Sequence, residues 1–232
     1  MTSFDLGAVP RPAVAVDIVV LTLRAARLHV LLIERGAQPF LGQWALPGGF
    51  LHVGEGDQGG ESLDEAAVRE LAEETGLAAD SVMLEQFAVF GAPGRDPRGR
   101  TITVAFFALV RPELAGFVKG GTDAAAAAFV AVDDATGLAF DHDLILRAAL
   151  ERLRDDVKGG APVAFALAPE PFTIRELQDV HEALLQQRFG DGPFRKRFDR
   201  LLEEKKVERV EGKRVTTRRP AMVFRATQRA PR

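Results

Sequence analysis

Apolar residues recur with two different periods along this chain, and the changes between them mark out its elements. Ala13–Leu23 and Leu28–Glu34 are rich in Val, Ile and Leu and are separated by Arg24–Arg27, which predicts paired strands. Trp44–Leu46 leads into the turn residues Pro47-Gly48-Gly49, and a glycine-rich stretch runs on to Gly60. Ser62-Leu63-Asp64-Glu65 has the form of a capping box. A helix is therefore expected to start there and to stop at Gly76, a residue suited to a left-handed C-terminal cap. Val82–Phe90 and Thr101–Val110 read as strands around the polar loop Gly91–Arg100. Phe129–Val132 predicts a further strand and Leu144–Val157 a helix.

Lys158–Pro171 holds Gly159-Gly160, Pro162, Pro169 and Pro171, a composition break. We read a first domain over residues 1–160, a linker over 161–171 and a second domain over 172–232, with Val163–Leu167 apolar enough to pack on something. A second capping box, Thr173-Ile174-Arg175-Glu176, opens a helix carrying Ile174, Leu177, Val180, Leu184 and Leu185 at helical spacing. Gly190-Asp191-Gly192 breaks the chain, and Pro193 suits the first position of the next helix, whose apolar residues are Phe194, Phe198, Leu201 and Leu202. Val207–Val210 and Val215–Arg225 are expected to pair around Glu211-Gly212.

Charge sharpens this division. The net charge of −3 over 232 residues conceals two halves. Residues 1–170 carry 14 Lys+Arg against 24 Asp+Glu, whereas residues 171–232 carry 16 against 9. An acidic body with a basic end module points to two domains with different partners. With no cysteine, disulfides, thiol catalysis and Cys-ligated zinc are excluded. The N-terminus lacks a basic start followed by an apolar run, and the longest apolar runs are too short to span a bilayer, so a cytoplasmic protein with no membrane partner is expected.

On the helix from Ser62 to Thr75, Leu63, Ala67, Val68 and Leu71 define an apolar side, and Glu70, Glu73 and Glu74 share a neighbouring arc of about 100°. Like charges at these spacings repel. The helix either leaves them in solvent or neutralises them with a cation, and clustered carboxylates suit Mg2+ or Mn2+. A metal-activated water attacking phosphorus is the chemistry such a site serves.

The flanking residues narrow the choice. Arg69-Glu70-Leu71-Ala72-Glu73-Glu74-Thr75-Gly76-Leu77 resembles the helical half of the Nudix box, with Glu61 at the spacing of the family's first Glu and Trp44–Gly49 resembling the preceding strand and turn. The resemblance implies an α/β/α sandwich with a mixed sheet, Glu70, Glu73 and Glu74 as metal ligands and, with Glu61, as the catalytic acids, and Arg69 as the orienting partner of a nearby acid. Gly48 and Gly49 fall on the substrate side. One departure stands out: six extra residues separate Gly49 from Glu61, so that counting forward from Gly49 reaches Glu55 instead. The roles of Glu55 and Glu61 stay open, and efficient hydrolysis is in doubt.

Gly54-Glu55-Gly56-Asp57-Gln58-Gly59 matches a dinucleotide-binding glycine pattern but is rejected. The helix begins too late, and Glu55 and Asp57 would repel a pyrophosphate. Arg95-Asp96-Pro97-Arg98-Gly99-Arg100 is either an exposed turn or a phosphate site, with Arg95 and Arg98 as candidates for bidentate binding. Similar segments, and one like Leu138-Ala139-Phe140-Asp141-His142, recur in the ADP-ribose-binding branch of the Nudix family. His29, His52 and His181 form no metal-spaced cluster.

In the basic module, Arg195, Lys196, Asp199 and Arg200 lie opposite the apolar arc of their helix, and the following ribbon carries Lys213, Arg214, Arg218 and Arg219. A basic helix followed by a basic hairpin is what a winged helix-turn-helix brings to DNA, although Glu203, Glu204 and Glu208 dilute the charge and no first helix of the module is evident. Phe172–Gln178, the Phe194–Leu202 helix and Arg218–Arg225 together resemble the C-terminal domain of NrtR-type regulators, which fuse a Nudix-like domain to a small α+β winged helix and control NAD metabolism. That resemblance implies ADP-ribose as effector, a homodimer on a palindromic double-stranded operator, and release of DNA on ligand binding. The alternative is a metal-dependent ADP-ribose pyrophosphatase whose C-terminal domain serves dimerisation. An RNA-binding adaptor is disfavoured by the scarcity of hairpin aromatics beyond Phe224.

Overall fold

A computed structural model describes residues 9–54, 59–117, 124–160, 162–215 and 220–227. The first apolar run forms β1 (Ala13–Arg24), which turns back through Ala25 and Ala26, both at positive φ, into β2 (Arg27–Arg35). Both strands are nearly continuous apolar runs because the sheet they join is covered on both faces. After β3 (Trp44–Ala45) and β4 (Gly48–Phe50) comes α1 (Leu63–Thr75). Ser62 Oγ accepts from the Glu65 N–H while the Glu65 carboxylate accepts from the Ser62 N–H, and Gly76 caps the end at φ 71°, as the sequence predicts. The sheet is completed by β5 (Met83–Phe90), β6 (Thr101–Val110) and β7 (Ala124–Ala131). β7 begins earlier than expected, because the alanine run takes the free edge of β2 from Arg35 to His29.

The strand order is β3-β2-β1-β6-β5, with β4 also on β1 and β7 on β2. Only the β1–β6 pair is parallel, so the sheet is mixed. β1 and β2 pair from Leu21↔Val30 to Arg24↔Arg27 and then diverge. Beyond that point β4 takes β1 at Ala15–Asp17, and β3 takes β2 at Ile33–Glu34. This fork opens a cleft in one edge of the sandwich.

One layer is α1, packing Ala66, Ala67 and Leu71 on Val16, Ile18, Val20 and Phe106. The other is α2 (His142–Lys158), whose Ile145, Ala149 and Leu153 meet Val19, Leu21, Val30 and Phe107. The core of that second layer does not stop at the end of α2. It continues through α3 (Val163–Leu167), α4 (Ile174–Leu185), α5 (Asp191–Glu203), β8 (Val207–Arg214) and β9 (Ala221–Ala226), with Phe172, Val180, Phe194, Phe198 and Phe224 all buried.

The segment expected to be a linker is therefore folded: Val163, Ala164, Leu167 and Ala168 are buried against the sheet and α4. α3 is the first helix that the periodicity did not reveal, being five residues long. Phe172 exchanges two backbone hydrogen bonds of 2.8 Å with Phe224, adding a third strand position to the β8–β9 ribbon. Three helices and this ribbon make a winged helix. β8 runs further than expected, to Arg214, and Arg218 and Arg219 lie outside the described residues. Among the described residues no helix is long and apolar enough to cross a membrane.

Candidate functional site: a forked-strand cleft and a basic winged helix

The acids of α1 are organised by Arg69. Its Nε and Nη2 grip Glu61 at 2.9 and 2.6 Å, Nη1 reaches Glu70 at 2.7 Å and Glu73 at 3.1 Å, and Nη2 also reaches the Phe50 carbonyl at 3.1 Å. The Arg69 contact, helped by the His52 N–H, holds the Glu61 carboxyl down at about 2. The six extra residues explain themselves in this setting. Val53 and Gly60 form an antiparallel bridge, so the chain is paired again one residue before Glu61. Glu61 accordingly occupies the Arg69-facing position, and Glu55 lies outside the described residues.

Glu74 accepts from the Gly48 N–H at 2.7 Å. Burial pushes its carboxyl up to about 8; the Gly48 bond opposes this, and Glu70, Asp17 and Glu73 add to it. Burial likewise raises Glu70. Gly49 packs so tightly on Glu70 that a Cβ there would fall 2.1 Å from Oε1. Glu70 and Glu73 are thus committed to Arg69 and Glu74 to Gly48, and among the described residues no group of three or more acids or histidines stands close enough to hold a metal ion.

Arg95 is not the open phosphate hand that the sequence invited. It is 5% exposed at its side chain, bidentate to Asp141 at 2.9 and 2.7 Å and 3.2 Å from Asp17. The Leu46 N–H donates to His142 Nδ1 at 2.9 Å, which places the ring proton on Nε2, 3.4 Å from Asp17 Oδ1. Burial acts to raise Asp17, but His142, Arg95 and Thr103 together hold it below its usual value. This buried network pins β1 and the start of α2 to the loop before β6.

Above it lies a cleft of about 220 Å3 whose lining includes Asp17, Arg35, Gly48, Gly49, Glu74, Arg98, Phe140 and His142. Arg98 is exposed, paired with Asp96 at 2.8 Å, and its guanidinium carbon lies 5.0 and 5.5 Å from the ring centres of Phe50 and Phe140. Arg35 lies 4.7 Å over the Phe140 ring. Arg35 and Phe50 were missed in the sequence: one reads as the end of a strand and the other as the residue after a turn. Phe140, from the Leu138–His142 segment, places its ring between Arg35 and Arg98.

In the winged helix, Glu182 is the hub of the turn between α4 and α5. It accepts from Gln178 Nε2 at 2.8 Å, the Phe189 N–H at 3.0 Å and Arg188 at 2.7 Å. Burial opposes its ionisation, but these donors and Arg175 bring it down to about 2. α5 is tied to the first domain by Arg197, which donates to the Val157 carbonyl at the last turn of α2 (3.0 Å), while Arg154 of α2 donates to the Leu184 carbonyl (3.1 Å). Lys196 and Arg200 project from α5 into solvent and make no ion pair among the described residues. Arg195 is also exposed but pairs with Asp199 at 3.0 Å. Lys213 is exposed on the ribbon. Arg214 is not a free cation: it pairs with Glu176 and donates to the Pro171 carbonyl, fastening the ribbon to the start of α4.

These two halves match known proteins. A family model for the NUDIX domain covers residues 11–153, and one for the NrtR DNA-binding winged helix domain covers residues 164–226. Over 218 residues, 93% of this chain and 82% of the relative, the sequence is 34% identical to the ADPR responsive transcriptional repressor NtrR of Acinetobacter baylyi. The crystal structure of Shewanella oneidensis NrtR complexed with a 27mer DNA superposes with a TM-score of 0.75 at 33% identity, covering 92% of this chain and 93% of that one. Another match, 40% identical over 136 residues, is to the ADP-ribose pyrophosphatase of Methanocaldococcus jannaschii, spanning 59% of this chain and 72% of that protein. Carrying a winged helix of this type behind a NUDIX domain, on one shared core, the chain belongs to the NrtR family.

Proposed function

We propose that this chain is an ADP-ribose-responsive transcriptional repressor whose cleft takes the nucleotide and whose α5 and wing take double-stranded DNA. The observation that carries the reading is the joining, on one core, of a polar cleft with guanidinium-lined walls to a helix that exposes Lys196 and Arg200 without ion pairs among the described residues. Unpaired cations on an exposed helix face suit a phosphate backbone, with Arg195 and Lys213 at its flanks. The A. baylyi relative supports the ligand and the S. oneidensis structure supports the DNA. A homodimer would set two α5 helices on the halves of a palindromic operator. Nucleotide binding that lowers DNA affinity is a coupling between sites of about 1–3 kcal/mol, or about 5–150-fold. The test is a gel-shift titration of the whole protein against its own promoter region at low salt, with and without ADP-ribose. Sequence-selective binding relieved by ADP-ribose is expected, and its absence overturns the reading.

A second reading, ADP-ribose hydrolysis with the C-terminal domain serving dimerisation, is favoured by the Glu61, Glu70, Glu73 and Glu74 set and by the likeness to the M. jannaschii enzyme. It needs Mg2+ or Mn2+ on Glu70, Glu73 and Glu74. Their hard oxygens suit either ion, but Arg69 and Gly48 hold them as they stand and, among the described residues, no three lie close enough to hold one; a cation there would offset the burial, and after it the neighbouring acids, that raise Glu74. Such an ion supplies Lewis-acid polarisation of the phosphates. Arg69 keeps Glu61 and Glu70 in place, and the Gly48 N–H orients Glu74. Release of AMP and ribose phosphate, abolished by Glu74→Gln, is the expected outcome; a wild type with no turnover under either ion refutes this second reading.

A further inference from the structure

Two half-buried arginines face each other's domain across the junction. Arg154 lies on α2 of the first domain and Arg197 on α5 of the winged helix, and neither makes an ion pair among the described residues. Each donates instead to a backbone carbonyl of the other domain, and the two bonds run in opposite directions. Arg197 Nη2 reaches the Val157 carbonyl in the last turn of α2 at 3.0 Å, and Arg154 Nε reaches the Leu184 carbonyl in the last turn of α4 at 3.1 Å. The final carbonyls of a helix lack partners within it and carry the negative end of its dipole. Each domain thus supplies one cation and one helix terminus. Burial disfavours the Arg197 charge, and no carboxylate relieves it. A guanidinium so placed is costly once its carbonyl bond is lost.

A carboxylate on a flexible side chain can follow a moving partner, whereas a carbonyl held in a helix cannot. These bonds therefore fix where α4 and α5 lie on α2. The elements they join reach both sites. The first turn of α2 brings His142 into the lining of the cleft, and on α5 Arg197 directly follows Lys196. Successive residues on a helix lie about 100° apart, so Lys196 faces solvent while Arg197 faces the first domain. A shift of α5 that breaks the Arg197 bond carries Lys196 and Arg200 with it.

We infer that Arg154 and Arg197 are positioning residues for the response to nucleotide, their crossed bonds forming the joint through which occupancy of the cleft alters the DNA affinity of α5. The inference rests on the cleft being the effector site and α5 the DNA-binding helix, as proposed above. Neither arginine lines the cleft. Removing either one spares both binding events and abolishes the dependence of one on the other. Arg111 supplies a control: it pairs with Glu170, ahead of α4, and that pair touches neither α2 nor α5.

The test measures the affinity of the whole protein for its own promoter region by fluorescence anisotropy, with and without ADP-ribose, and ADP-ribose affinity by calorimetry, with and without that DNA. In the wild type the ratio of affinities is expected at about 5–150-fold and must agree in both directions. Arg197→Met and Arg154→Met should each bring it below about twofold, with ADP-ribose affinity in the absence of DNA within about twofold of wild type. Arg197→Lys, which keeps the charge without the fork, should fall between. Arg111→Met should keep the wild-type ratio. A merely structural role would lower the melting midpoints of the two Met variants and leave their ratios at the wild-type value. That result, or an equal loss in Arg111→Met, overturns the joint and leaves the effector reading standing. Should Arg197→Met fail to fold, the ratio in Arg154→Met decides. A wild type whose DNA affinity ADP-ribose does not change overturns both readings.

Discussion

Replacing Arg95 by Met separates a structural beam from a ligand hand. The guanidinium lies in a nearly closed site, holding Asp141 through two bonds of 2.7 and 2.9 Å and Asp17 at 3.2 Å. Met keeps most of the bulk and removes the charge, leaving two carboxylates with 11% and 19% side-chain exposure. Breaking a buried pair on one side costs about 3–5 kcal/mol, a large part of a typical domain's stability. At about 2–4 °C per kcal/mol for a chain of this size, the melting midpoint should fall by roughly 10 °C. Urea unfolding near neutral pH measures this as a lower midpoint with an unchanged slope. Adding Asp17→Asn to Arg95→Met should recover part of the loss, because one stranded charge is then gone. If Arg95→Met unfolds within about 0.5 kcal/mol of wild type while ADP-ribose affinity collapses, the residue is a ligand contact and the reasoning fails.

Three further outcomes follow from other sites. Burial holds His181 at about 4, below its ordinary 6.5, so the folded state resists protonation. Its stabilising contribution is complete above pH 6.5 and is lost as pH falls toward 4, by up to about 3 kcal/mol. His181→Gln should flatten urea midpoints across that window relative to wild type, a comparison that cancels Glu74, whose raised value (from 4.5 to about 8) works in the opposite direction. Parallel profiles in the two chains would discard the assignment. Gly48 stands at φ 154° with a prospective Cβ 2.2 Å from the Val16 carbonyl, so Gly48→Ala should cost about 2–3 kcal/mol by calorimetry, and a neutral substitution would contradict the packing. Lys196→Ala and Arg200→Ala should each weaken DNA binding and reduce the salt slope by about 1 per lost phosphate contact, with ADP-ribose binding intact. Equal loss of both functions would mark misfolding instead.

Local signals were read correctly where partners are close in sequence. Both capping boxes form with their reciprocal bonds, and α1 ends at Gly76. Reading failed where a residue's fate depends on a distant partner. Arg95 has the form of a phosphate ligand, yet its carboxylates arrive from 46 and 78 positions away. Arg214 looks like a wing cation, but Glu176, 38 positions earlier, claims it. Ala124–Ala131 carries little strand propensity of its own and becomes a strand because β2 offers an edge. α3 is too short to display a period, and only its burial against the sheet makes it a helix worth forming.

The two ends of α2 answer to different parts of the molecule. Its first turn belongs to the cleft through Asp141 and His142, and its last turn receives Arg197 from α5. Seventeen residues at 1.5 Å rise make a rod of about 25 Å. On such a rod a tilt of about 5° about the cleft end carries the far end through roughly 2 Å, most of the length of a hydrogen bond. The docking of α5 on the first domain therefore depends on an angle of α2 that is set one rod's length away, at the cleft.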